Sequence, residues 1–146
     1  MSRMKRSHLH FGFGAAILAA ATIVFAAVEG SPRATLMSRG DYERAMKGIE
    51  LDERAGRVAC ERLSDYPKSV CNVDLTADTK IRTAELKARY LGTFAARDFA
   101  SNVRVQARFE VERERCDAFT GAGRDRCLLI AFEVRAALLN ELAPSA

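Results

Sequence analysis

Ten residues separate Cys60 from Cys71, and ten separate Cys116 from Cys127, the second pair lying 56 positions beyond the first. The flanks repeat with the cysteines. Cys-Glu-Arg-Leu-Ser (60–64) matches Cys-Asp-Ala-Phe-Thr (116–120) as acid, variable, apolar, hydroxyl, and each copy then enters a breaker, Asp65-Tyr66-Pro67 or Gly121-Ala122-Gly123. Glu85-Leu86 and Glu141-Leu142 keep the same offset. Self-similarity at a fixed offset is the mark of a duplicated supersecondary unit. A helical hairpin fits the spacing, with one cysteine near the end of one helix and the next near the start of its antiparallel neighbour. A tight turn brings such Cα atoms within the ~4.4–6.8 Å a disulfide requires. Closing a loop of about a dozen residues stabilises by ~3 kcal/mol in the chain-entropy view. Four cysteines allow three connectivities. Local pairing, Cys60–Cys71 with Cys116–Cys127, is favoured by Pro67 and the two glycines, which break the helices between the cysteines. The nested alternative is Cys60–Cys127 with Cys71–Cys116.

The periodicity along the chain is helical throughout, and the expected fold is all-α. From Asp41, apolar or small residues at Tyr42, Ala45, Ile49, Gly56, Ala59 and Leu63 recur every three or four positions, interrupted near Asp52 or Glu53. Glu43–Lys47, Glu50–Arg54 and Glu53–Arg57 supply acid-first i,i+4 pairs, and Pro67 is expected to end the run. A second helix is expected from about Lys68 to Tyr90, burying Val70, Ala77, Ile81, Ala84, Ala88 and Leu91. Asp78–Arg82 and Glu85–Arg89 lie outside, and Gly92-Thr93 is the stop. The third starts within 95–100 and runs to about Phe119, with Phe99, Val105, Phe109, Cys116 and Phe119 inward and Thr120-Gly121-Ala122-Gly123 as the break. The fourth, about Arg124 to Leu142, is the most apolar. Leu128, Leu129, Ile130, Phe132, Val134, Leu138, Leu139 and Leu142 leave little polar face, so it should be the helix most covered by the others or by a partner. Sustained alternation and Asn-Gly or Asp-Gly hairpin turns are lacking.

Ahead of this domain stands a leader. Arg3, Lys5 and Arg6 precede eighteen uncharged residues, Phe11 to Val28, the plan of a secretory signal peptide. Val24 and Ala26 are small enough for the −3 and −1 positions of a cleavage site that would leave Ala27 as the new start. The alternative is an uncleaved inner-membrane anchor over residues 11–28, since eighteen helical residues span roughly 27 Å, just short of the ~30 Å hydrocarbon core. Both place the remainder outside the cytoplasm. The organisation is then 1–26 leader or anchor, 27–40 linker and 41–146 helical domain, with repeats over about 42–91 and 98–142. An oxidising compartment agrees with an even cysteine count at matched spacing.

Charge and composition narrow the function. The chain carries a formal +4, but beyond residue 30 the 20 Lys and Arg nearly balance 18 Asp and Glu, interspersed in sign. Nucleic acid, which wants a concentrated basic face, is not an expected partner. Both histidines, His8 and His10, lie in the leader. The exported part therefore has no imidazole for a triad, a zinc site or acid–base chemistry. C-x10-C is neither a zinc chelate nor a thioredoxin-type C-x-x-C. Arg115 and Arg126 beside Cys116 and Cys127 are the one feature favouring a reactive thiol. Glu110, Glu112 and Glu114 do not share a helix face and alternate with Arg108, Arg113 and Arg115, as a solvated face does. Phe94, Phe99, Phe109, Phe119 and Phe132 read as core anchors rather than a ligand cage. Met37 and Met46 are too few for a copper site, and phosphate-binding and nucleophile-elbow motifs are lacking. No enzyme, metal or cofactor is expected.

The segments GDYERA (40–45), VACERLSDYPKSVC (58–71), TAELKARY (83–90) and ERERCDAFTGAGRDRC (112–127) resemble a group of uncharacterised small exported helical proteins of betaproteobacteria. The resemblance covers roughly residues 38–135. Its specific feature is the doubled C-x10-C, and it departs from the group's pattern at Phe109, where a tyrosine is usual, and in the apolar last helix. It implies an envelope location and paired disulfides and carries no activity. The expected function is a periplasmic or cell-envelope structural or interaction protein, with the apolar helix 124–142 as the surface for an envelope protein partner and membrane contact only through the leader if uncleaved. The alternatives are a redox-responsive protein using its disulfides and a small chaperone-like adaptor.

Overall fold

A computed structural model of the chain describes residues 36–142. The leader and most of the linker expected from the sequence lie outside the described residues. Four helices follow one another: α1 (Arg39–Cys60), α2 (Asp65–Leu91), α3 (Phe94–Arg115) and α4 (Ala122–Leu142), with a single 3-10 turn, Cys116–Ala118, prolonging α3. Connections of two to four residues leave each helix antiparallel to its predecessor. No strand occurs among the described residues, and none of their helices is long and apolar enough to cross a membrane.

Local chemistry sets the ends. Ser38 caps α1: its hydroxyl accepts from the Asp41 N–H at 3.1 Å and donates to the Asp41 carboxylate at 2.6 Å. That hydroxyl and the Arg44 guanidinium hold the Asp41 carboxyl below the usual carboxylate range. Thr93 caps α3 by accepting from the Ala96 N–H at 3.2 Å. Gly92 closes α2 in a left-handed conformation, φ 65°, and its N–H donates to the Ala88 carbonyl. Leu36 packs where a side chain on Gly92 would sit.

The helices form an open row in which extensive contacts run only between chain neighbours: α1 on α2, α2 on α3, α3 on α4. At the central seam Ala77, Ala107 and Val111 form one buried cluster, and Ala84, Ala88 and Ala100 another. Small side chains let the two helix axes approach closely. Lys80–Glu110 at 3.0 Å and Arg104–Glu85, with the Arg104 Nε also 3.0 Å from the carboxylate, border this seam. Tyr42 stacks on Tyr90 at 4.5 Å across α1 and α2, Arg82 bonds Asp52 at 2.6 Å, and Gly56 leaves room for Leu75. Leu86, the most buried large side chain, lies one turn from both Arg82 and Tyr90 on the same stripe. That pairing also explains the interruption at Asp52: the carboxylate sits at the rim of the seam, where Arg82 reaches it.

Several sequence expectations need correction. Pro67 does not end the first helix, which stops at Cys60; it lies in the first turn of α2, where a missing N–H breaks no intrahelical bond. Ala59, Leu63 and Leu91 are exposed rather than inward. Gly123 is helical, and α4 begins at Ala122. Of the five phenylalanines expected in the core only Phe109 is buried; Phe94, Phe99, Phe119 and Phe132 are at least half exposed. Most consequentially, α4 has no buried residue, so it is the least covered helix and not the one most covered by the others. Glu53–Arg57 and Asp78–Arg82 pair as expected, whereas Glu43 turns to Arg39 and Glu85 to Arg104.

Candidate functional site: two stapled turns and an open furrow

Both disulfides are local: Cys60–Cys71 and Cys116–Cys127, each with Cα atoms 5.6 Å apart. The two turns they bracket are built alike at the 56-residue offset. The Leu63 N–H donates to the Cys60 carbonyl at 3.0 Å, and the Phe119 N–H donates to the Cys116 carbonyl at 3.0 Å. Asp65 and Gly121 then take the same left-handed backbone, φ 52° and 54°. The turns sit at one end of the row and are tied together. The Tyr66 hydroxyl donates to the Arg115 carbonyl at 2.9 Å, and the Ser69 hydroxyl donates to the Glu114 carboxylate. Cys60 and Cys116 are closed off from solvent, and the described residues include no free cysteine.

The second hairpin also carries a furrow of about 600 Å³ along the α3–α4 seam. Cys116–Cys127 closes one end, and Phe109 packed on Phe132 at 4.9 Å holds the helices together farther along. Its floor is Val105, Phe109, Ile130, Ala131, Val134 and Leu138, with Phe119 at the disulfide end. Val105 and Phe109 on the α3 side are buried, but the rest of the floor is open to water where a core seam would be covered: Phe119 is 53%, Ile130 53% and Val134 54% exposed. The rim is cationic. Arg108, Arg126 and Arg135 line it against one carboxylate, Glu112, which Arg115 holds at 2.8 Å. Arg108 and Arg126 have no ion-pair partner among the described residues. Arg135 donates to the Gln106 side-chain oxygen at 2.9 Å and lies over the Phe109 ring, 5.1 Å from its centre.

The four cysteines expected as the site residues are thus brought together in pairs, with Arg126 on the furrow rim beside the second. Glu110, Glu112 and Glu114 go to three partners, Lys80, Arg115 and Ser69, as their alternation on a helix requires. Sequence reasoning missed Arg108 and Arg135 as rim groups. Their signal was the helical spacing of Val105 and Phe109 against Ile130, Val134 and Leu138, which defines a shared face only once the hairpin register is known. No family model, curated protein or solved structure matches the chain.

Proposed function

We propose that the chain is an exported interaction protein of the bacterial cell envelope that docks a partner protein along the α3–α4 furrow. One observation carries this: the most apolar of the described helices is the least covered of them, and its exposed Ile130 and Val134 line a continuous furrow. Exposed apolar surface that is contiguous and rimmed by polar groups marks an interaction site. The two disulfides agree with an oxidising compartment, as does the secretory pattern of residues 1–28. Cys60 and Cys116 are buried and Cys71 and Cys127 half-buried, so each bond is shielded at one of its two sulfurs, which agrees with a stapling role.

Site-specific photo-cross-linking tests this reading. A photoreactive residue replacing Ile130 should give a discrete protein adduct in the producing cell, whereas one replacing Val58, at least as exposed on α1, should not. No adduct from position 130, or the same adducts from both positions, would refute docking at the furrow.

A further inference from the structure

We infer that the occupant of the α3–α4 furrow is an amphipathic helix about four turns long with acidic residues on both flanks, an inference that rests on the furrow's being the docking face. The space between two packed helices accepts the side-chain ridge of a third, and an apolar helix face laid in such a groove is a recurring mode of recognition. On α4 the lining runs from Gly123 to Leu138, which at 1.5 Å per residue is roughly 22 Å, or about fifteen helical residues of partner.

Charge decides what kind of helix. The Cys116–Cys127, Phe109–Phe132 and Gln106–Arg135 contacts fix the register of α3 against α4. In that register Arg108 stands level with Arg135 on the opposite wall, while Arg126 lies toward the disulfide end. The arginines thus occur at two levels about 13 Å apart along α4. Glu112, the one carboxylate of the lining, is already engaged by Arg115. An occupant with acids on its flanks about nine residues apart meets both levels. A single-headed anionic amphiphile satisfies only one of them. A second copy of this chain seated furrow to furrow brings like-charged rims together, which costs rather than contributes.

The test uses the full chain with its disulfides intact and a labelled synthetic 18-residue peptide. Leucines stand at i, i+3, i+4, i+7 spacing with glutamates on the flanks, and a matched peptide carries lysines in their place. By fluorescence anisotropy the glutamate peptide should bind at least ~10-fold more tightly than the lysine peptide, with the difference shrinking as salt rises. The double variant R108E/R126E should reverse the preference. Both side chains are exposed and lack ion-pair partners among the described residues, so circular dichroism should report an unchanged fold. Equal binding of the two peptides, or binding of neither, overturns the inference. So does stoichiometric uptake of hexadecanoate without glutamate-peptide binding, which assigns the furrow to an amphiphile, or a dimer abolished by I130E, which assigns it to a second copy. Should the position-130 adduct persist while the peptides show no preference, the docking reading stands and the acidic helix alone falls. Absence of that adduct removes both.

Discussion

A left-handed backbone at Asp65 and Gly121 places two chemically different residues in one geometry at equivalent points of the duplicated turn. Glycine adopts φ near 55° without steric cost, whereas a residue with a Cβ is disfavoured there by ~1–2 kcal/mol, aspartate being among the better tolerated. Gly121→Ala should therefore lower stability by about 1 kcal/mol, while Asp65→Gly should be neutral or stabilising by up to a similar amount. Urea unfolding of the two variants measures both. An equal loss in each would mean that the Asp65 side chain contributes something a glycine cannot replace. At this scale the sequence was informative about pairing, because two cysteines ten residues apart around a helix breaker have few other ways to meet. It misled at Pro67, since proline's missing N–H stops a helix in its interior and is harmless in a first turn. Composition alone does not say which of those positions a proline will take.

Helices follow a different logic, in which burial is set by the number of neighbours and not by apolar content. α2 and α3 each have two neighbours, and bury alanines on the seam between them. α4 has one neighbour and buries nothing fully, although its aliphatic content is the highest. Counting apolar residues therefore misjudged the cover of α4, because apolar content says nothing about how many neighbours a helix has. Leu86 was illegible for the complementary reason: α2 needs two stripes, and the alanines Ala77, Ala84 and Ala88 mark only the one toward α3, whereas Leu86 shares a stripe with Arg82 and Tyr90, which reach α1. The Cys116–Cys127 bond matters most to α4, which has little else to hold it. Replacing that pair with serines should cost ~3 kcal/mol and loosen α4 while α2 and α3 stay packed. Near-ultraviolet and far-ultraviolet circular dichroism through a thermal melt would follow this, and an unchanged melting temperature would contradict it.

Across the four described helices together, an open row divides stability unevenly. The interior pair is covered on both sides and each end helix on one, so native-state hydrogen exchange should be slowest in α2 and α3 and faster on the outward faces of α1 and α4. Uniform protection across the four helices would show that something closes the row. A docked helix at the furrow should slow α4 selectively. The all-α class and the duplicated hairpin were legible before any coordinates, being properties of periodicity and spacing. The order of the row and the cationic furrow were not. They depend on which helix faces which, information spread over side chains dozens of positions apart.

Serial packing has a further consequence for how the bonds form. In order along the chain the cysteines are 60, 71, 116 and 127, and each bond joins two consecutive members of that order. A chain that meets an oxidant N-terminus first presents Cys60 and Cys71 together while Cys116 and Cys127 are still out of reach. First-come oxidation then yields the native pairs. The linkage pattern needs no reshuffling, so a catalyst that only makes disulfides is sufficient and one that rearranges them is superfluous.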